Sequence, residues 1–289
     1  ERPRTLYDRF TAELTYRALS VEKERRPSLR EGELWQSFRW TTGAPQLSAD
    51  SARLFTVVGG HDDPPVLSIF STAPDTKAEE RYQKRIASML ERDPQDVAPI
   101  RDRPLPREPL NELTSLDGSP FITPRWIGSD AVLYEQPVTD SKGVFHPDLF
   151  RWNFSERSSE RLTRGADLRE ADPFPDGSSV VAVRQRFGKS QLVRFDLKTE
   201  TVQPLTEPSV TDVYSWPRVS PDGKRVVYVV HRDRGWNLGV MELSTGHEHL
   251  LEAVRQTGGA QPGWSHDCNH LYAAVGRQSL MHIERISVD

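Results

Sequence analysis

SPDGKRVVYVV, residues 220–230, is the stretch that decides the fold. Proline fixes its own φ, aspartate can accept a hydrogen bond from the backbone two residues on, and glycine takes positive φ without a steric cost. The first four residues therefore predict a tight hairpin turn with Gly223 in the left-handed region. The β-branched and aromatic run behind the turn predicts a strand.

Turns and strands alternate on both sides of this hairpin. A strand pattern precedes it at Val213–Val219, and another follows a turn cluster at 231–235 and covers Leu238–Leu243. A further turn at 244–246 leads to the short apolar stretch His249–Leu251. Together these segments predict one four-stranded antiparallel unit.

The same unit recurs along the chain. Asp176, followed by glycine, lies 46 positions before Asp222, and Asp267 lies 45 positions after it. Asp130 lies 46 positions before Asp176, and the earliest copy begins at Pro45–Asp50. A fixed spacing in this range is the signature of a repeat architecture.

The copies PRVSPDGKRVVYVVHRDRGWNLGVMELSTG and DPFPDGSSVVAVRQRFGKSQLVRFDLKTETVQPLT resemble the WD-repeat-like units of TolB-type β-propellers, in which each repeat is one blade. The resemblance extends from Pro45 to Asp289, apart from one insertion. It implies an all-β fold, a β-propeller of five visible four-stranded blades. TolB itself is six-bladed, so a sixth blade beyond Asp289 is the alternative. Ser51 and Cys268 stand where the turn glycine is expected.

An N-terminal helix is predicted over residues 5–26, where Leu6, Phe10 and Leu14 recur at intervals of four. Its apolar face must pack on something. We assign residues 1–33 to an N-terminal helical segment and residues 34–289 to the propeller. The helix is either packed on the side of the propeller or the tail of a preceding domain.

The insertion spans about residues 73–119 and is placed after the first blade. Apolar residues at helical spacing predict a helix over Glu79–Arg92, and the prolines after it favour an extended segment. The insertion is interpreted either as a lid or partner-binding arm, or as a cover for the first blade.

Ring closure is predicted from the two ends of the repeat region. The last copy shows three strand patterns, while the alternating stretch Leu34–Thr42 has no blade of its own. Since open sheet edges expose unpaired backbone groups, we expect Trp35–Thr41 to pair near Met281–Ser287.

Composition excludes several classes of protein. A net charge of −4 without a basic cluster argues against a nucleic-acid binder, and no apolar run is long enough for a transmembrane helix. The single cysteine excludes an intrachain disulfide. Because the chain begins at Glu1, we expect a processed protein or a fragment with covalently linked flanking domains. The resemblance implies a periplasmic or cell-envelope location.

Sequence motifs for catalysis are absent. The chain contains neither a Gly-x-Ser-x-Gly elbow nor a His-Glu-x-x-His zinc helix, so we predict no catalytic residues and no cofactor. His266, Cys268 and His270 form a weak zinc candidate, because alternate positions of an extended strand point the same way. They fall on a predicted turn, which favours a polar turn with a chance thiol.

A basic arc is the predicted partner-binding site. Arg186, Arg232 and Arg277 each lie ten residues beyond a turn aspartate, and equivalent positions in a propeller lie on one face. Arg184 and Arg234 add positive charge nearby, and Trp236 adds aromatic surface. Guanidinium groups there would favour an acidic segment or a C-terminal carboxylate.

The resulting hypothesis is a non-catalytic β-propeller that binds a protein or peptide partner in the bacterial cell envelope. One alternative is the accessory propeller of a peptidase, which gates access to a catalytic domain outside this chain. Another is a propeller that binds a small ligand or polysaccharide through exposed aromatics, for which Trp216, Trp236 and Trp264 are candidates.

Overall fold

The computed structural model of this chain describes residues 3–25, 35, 41–59, 63–95, 107–232, 235–256, 261–277 and 280–288. The chain divides into two compact units. The first comprises residues 1–37 and 77–106, and the second comprises residues 38–76 and 107–289.

Both predicted helices are present: α1 (Pro3–Arg25) and α2 (Thr76–Arg92). The apolar side chains Tyr7, Phe10 and Leu14 of α1 are 67%, 60% and 50% exposed, and the packing of this face stays a prediction. The helix is stabilised locally, by its own backbone hydrogen bonds and by the Glu13–Arg17 ion pair at 2.6 Å. Neither described helix is long and apolar enough to cross a membrane.

The second unit consists of β-sheets whose strands follow one another in chain order. Blade one contains β1 (Thr41–Leu47), β2 (Arg53–Gly59), β3 (Val66–Ser71) and β4 (Asn111–Thr114). Blade two contains β5 (Ile122–Ile127), β6 (Ala131–Thr139), β7 (Phe145–Asn153) and β8 (Ser158–Arg161). Blade three contains β9 (Leu168–Pro173), β10 (Ser179–Arg186), β11 (Lys189–Asp196) and β12 (Val202–Pro204).

Blade four contains β13 (Val213–Val219), β14 (Arg225–Arg232), β15 (Gly235–Glu242) and β16 (Glu248–Gln256). Blade five contains β17 (Gly263–Trp264), β18 (His270–Arg277) and β19 (Leu280–Ser287), so it has three strands in the described part of the chain. All pairings are between antiparallel neighbours, which confirms the predicted five-bladed β-propeller. Of the predicted closing strand, residues 36–40 lie outside the described residues. Thr41 pairs with Gly59 within blade one.

The insertion leaves blade one before that blade is complete. Leu113 in β4 pairs with Leu67 in β3, so residues 111–114 form the outer strand of the blade. The predicted placement of the insertion after the first blade is therefore corrected to a position between β3 and β4. The side chain of Leu113 packs against the apolar cluster between blades one and two, which explains why this segment joins the blade as a strand.

Apolar side chains fill the spaces between successive blades. There are four such clusters among the described residues. Each lies between two neighbouring blades, from the pair of blades one and two to the pair of blades four and five. The second strands are buried on both sides, as Val226, Val227, Tyr228, Val229 and Val230 show with no exposed surface. This explains why the run after the hairpin turn is continuously apolar rather than alternating.

The predicted hairpin turn has the expected geometry. Gly223 has a φ of +72°, and its amide donates to the Ser220 carbonyl at 2.8 Å. The Asp222 carboxylate accepts from the Ser220 hydroxyl at 2.5 Å and from the Lys224 amide at 3.1 Å. Side chains thus satisfy the turn's backbone and fix where the next strand begins.

Two copies keep this turn without glycine. Ser51 and Cys268 take φ values of 57° and 60°, so residues with a Cβ occupy the left-handed position. Blade two differs from the predicted alignment. Its turn has Gly128 at φ 63°, and Asp130 stands directly before the first residue of β6, out of register with the other turn aspartates.

Gly223→Val should destabilise the chain by about 1–2 kcal/mol, because a β-branched residue is strained at positive φ. The measurement is the free energy of unfolding in urea. Ser51→Gly is the matched control, since it removes a Cβ from the equivalent position, and its stability should equal or exceed the parent's. Equal stability of Gly223→Val and the parent would contradict the assigned turn.

Candidate functional site

The innermost strands of three consecutive blades carry the same irregularity. Thr123, Glu170 and Trp216 have φ values of 44°, 55° and 52°, each where the pairing with the second strand shifts register. Such bulges re-aim the side chains that follow them. Two residues later the three strands carry Arg125, Asp172 and Arg218.

These three side chains meet between the blades. Arg125 Nε donates to Asp172 Oδ1 at 3.1 Å, and Arg218 Nε lies 3.9 Å from the same oxygen. The second carboxylate oxygen of Asp172 accepts from the Val219 amide at 2.9 Å. A single carboxylate of blade three is therefore shared by arginines from blades two and four.

Gln261 brings the fifth blade into the same cluster. Its Oε1 accepts from Arg125 Nη2 at 2.9 Å and from Arg218 Nη2 at 3.1 Å. Hydrogen bonds and one longer ion pair thus connect groups from blades two, three and four and from the segment just before β17 of blade five. Because only the axis of a propeller is reached by non-neighbouring blades, we call Arg125, Asp172, Arg218 and Gln261 the axial cluster.

The three charged side chains of the axial cluster are buried, which makes their charges costly unless they are paired. The side chains of Arg125 and Arg218 are each 8% exposed and that of Asp172 is 12% exposed. Burial raises the pKa of Asp172 to about 6, although the Arg125 guanidinium partly opposes this. Burial likewise lowers the pKa of Arg125, against the raising effect of Asp172. With Asp172 ionised, the cluster has two positive charges and one negative charge.

Sequence analysis missed the axial cluster. The signal that could have found it is the dipeptide Pro-Arg, which recurs as Pro124-Arg125 and Pro217-Arg218 two repeats apart. In both, the arginine Nη1 donates to the preceding proline carbonyl, at 3.0 Å and 2.6 Å, which orients the guanidinium. Asp172 follows Ala171 at the equivalent place, so a search restricted to arginine would have passed over it.

The three arginines at the centre of the predicted basic arc occupy equivalent positions in their blades. Arg186, Arg232 and Arg277 are the last residues of β10, β14 and β18, at the turn to the third strand. Arg234 lies outside the described residues. Trp236 is half-buried and contacts His231 edge-on at 5.2 Å.

Arg232 is paired within the chain. Its guanidinium lies 2.9 Å from Asp212 and 2.7 Å from Glu248, and Glu248 also accepts a hydrogen bond from Tyr228. Burial lowers the pKa of Arg232, but the hydrogen bond and charge of Glu248, with those of Asp212, raise it overall. Arg232, Asp212 and Glu248 line a cavity of about 470 Å³, together with Tyr214.

Arg186 is more exposed to solvent than Arg232. Its side chain is 51% exposed, with Nε 3.4 Å from Asp167, and it lies against Phe187, which is 91% exposed. Arg184 is half-buried, and its Nε is among the buried side-chain atoms without a hydrogen-bond partner in the described residues. Among the described side chains of the predicted arc, Arg186 is therefore the most exposed positive charge.

The weak zinc candidate is not assembled. Cys268 is buried in the left-handed turn position, while His266 is exposed and His270 lies 3.9 Å from Asp267. Within the residues that the structure describes, no group of three or more His, Cys, Asp and Glu side chains is placed to hold a metal ion.

The three candidate tryptophans are half-buried rather than exposed. Trp216, Trp236 and Trp264 pack against the apolar cluster between blades four and five. Trp264 also donates its indole N–H to the Arg218 carbonyl at 2.9 Å. Their positions support packing between blades rather than ligand binding through exposed rings.

No protein-family model matches this chain, and no curated protein matches it. Solved structures do match. TolB from Acinetobacter baumannii matches with a TM-score of 0.63 at 17% identity, over 88% of this chain and 53% of that one. A structure assigned to TolB from Agrobacterium tumefaciens has a TM-score of 0.55 at 14% identity, over 87% and 78%. A prolyl endopeptidase structure has a TM-score of 0.51 at 12% identity, over 86% and 34%.

The fold defined by these blades and comparisons is that of a β-propeller. The propeller is similar in fold to those of the two TolB structures, in line with the resemblance seen in the repeats. The chain spans about half the length of the Acinetobacter baumannii TolB structure.

Asp172→Asn should change how stability depends on pH. The folded chain keeps a proton at Asp172 up to about pH 6, whereas the unfolded chain loses it near the ordinary value of 3.8. Through this group, the free energy of unfolding falls by about 2 kcal/mol as pH rises from about 4.5 to about 7. The variant should lose less stability than the parent over this range in urea unfolding. Identical pH profiles would contradict the raised pKa.

Arg232→Ser should cost about 1–3 kcal/mol of unfolding free energy, because Asp212 and Glu248 would lose their shared cation. Arg186→Ser is the matched comparison at the equivalent position and should stay within about 0.5 kcal/mol of the parent. Urea unfolding of both variants checks the difference. Equal losses would show that the ion pairs of Arg232 do not stabilise the blade.

Proposed function

We propose that this chain is a non-catalytic β-propeller scaffold that binds a protein or peptide partner in the bacterial cell envelope. The observation that carries the proposal is the axial cluster, which holds two buried guanidiniums against one carboxylate in a chain of net charge −4. A positive centre on the axis gives an acidic or carboxylate-bearing segment a place to bind.

A second contact with the partner is proposed on the face formed by the turns between second and third strands, at the end of the strands away from the axial cluster. Arg186 and the exposed ring of Phe187 lie there. Arg184, Arg232, Arg234, Trp236 and Arg277 complete the proposed arc. Arg232 contributes less charge than its position suggests, because two carboxylates already pair with it.

A periplasmic or cell-envelope location is proposed from the resemblance to TolB-type propellers, which the fold likeness supports. Covalently linked flanking domains stay a prediction. The boundaries proposed from sequence, 1–33 and 34–289, are kept as a proposal. The role of accessory propeller to a peptidase has weaker support, since the prolyl endopeptidase likeness covers 34% of that chain.

Photo-crosslinking in living cells tests the proposal. A photoreactive residue at Phe187 reports on the proposed face, and one at Lys198, exposed at the opposite end of β11, is the matched control. We expect one discrete envelope partner to crosslink from position 187, with a yield that falls when Arg186→Ser is added. Equal crosslinking from both positions, or none from position 187, would contradict the proposed face.

A further inference from the structure

Two guanidinium groups converge on one neutral oxygen in the axial cluster. Arg125 Nη2 and Arg218 Nη2 come from blades separated by a third blade, yet both donate to Gln261 Oε1, at 2.9 Å and 3.1 Å. Donors on a cation form stronger and shorter hydrogen bonds with an ionised acceptor than with an amide. The position of Oε1 is therefore better suited to an anionic oxygen.

The charge balance points the same way. Asp172 neutralises one of the two arginines, which leaves one positive charge among side chains that are at most 12% exposed. A buried charge without a counter-charge is costly. One additional negative charge at the position of Oε1 would complete the pairing.

The remaining donors define the chemistry of the anion. The Nη1 groups of both arginines donate to proline carbonyls, and the Nε groups face Asp172. Each guanidinium has further N–H groups, but the two Nη2 groups are the ones that converge on a single acceptor position, held here by Gln261 Oε1. Two donors and one net charge match a monoanionic carboxylate, whereas a phosphate would bring further charged oxygens that these two groups do not satisfy.

We propose that Arg125 and Arg218 form a carboxylate-binding site, whose acceptor position Gln261 Oε1 occupies in the free protein. Gln261 is exposed, so an incoming carboxylate reaches the pair by displacing this side chain. Under the proposed function, on which this identification of the ligand rests, the carboxylate belongs to the partner as an acidic side chain or a chain terminus. The recognition chemistry itself requires only a carboxylate.

The first test supplies the carboxylate covalently. Gln261→Glu should raise Tm by roughly 3–5 °C, because a tethered carboxylate then accepts from both guanidiniums. Gln185→Glu is the matched control, since it makes the same change at an exposed position of β10 that lies opposite Ser190, and it should leave Tm unchanged. A Gln261→Glu protein that is no more stable than the control would overturn the site.

The second test uses acetate as the probe, with acetamide as its neutral counterpart, at constant ionic strength. Gln261→Ala vacates the acceptor position, so acetate should raise the Tm of this variant more than that of the parent, while acetamide should not. Gln261→Glu should weaken acetate binding by about tenfold or more, because the position is filled. Equal responses to acetate and acetamide in Gln261→Ala would overturn the proposal.

Peptides separate this site from the proposed function. A short peptide with a free C-terminal carboxylate is compared with its C-terminal amide and with acetate. Acetate binding without preference for the free carboxylate would keep the site and remove the chain terminus as its ligand. Failure of the crosslinking test together with successful acetate binding would remove the protein partner and leave the carboxylate site standing.

Discussion

The innermost strand of a blade has no neighbouring strand on its axial side, and in blades two, three and four backbone amides of that strand donate to side chains of the preceding blade. Glu170 accepts from the Trp216 amide at 2.5 Å, and Asp172 accepts from the Val219 amide at 2.9 Å. Unpaired buried amides would otherwise cost stability. The rest of the propeller depends on this constraint, because the apolar clusters between blades align only when the innermost strands are held in register.

The same constraint explains why charged residues lie on the axis. A carboxylate that accepts a backbone amide is buried by the next blade, and burial raises the pKa values of both Glu170 and Asp172. Arg125 and Arg218 offset the charge of Asp172 and exceed it by one. Asp172 therefore joins two blades, and under the proposal made above its arginine partners also bind an external carboxylate.

Repeat spacing and turn chemistry predicted the fold, because the Asp-Gly turn at 222–223 and the apolar strand behind it are local features. The axial cluster could not be predicted in the same way, since its members come from four blades and meet only after the strands have packed. Positive φ at Trp216 has no glycine to signal it. The arginine positions were predicted correctly along the strands, but the carboxylates that pair with Arg232 come from loops and strands whose proximity the spacing does not encode.

Native-state hydrogen exchange at the Val219 amide tests most directly whether side chains of one blade hold the innermost strand of the next. This amide donates to Asp172, whereas the Lys224 amide donates to Asp222 within an exposed turn and serves as the internal reference. The account predicts that Val219 exchanges only through global unfolding, with a protection free energy equal to that of the whole domain. Exchange of Val219 as fast as that of Lys224 would contradict it.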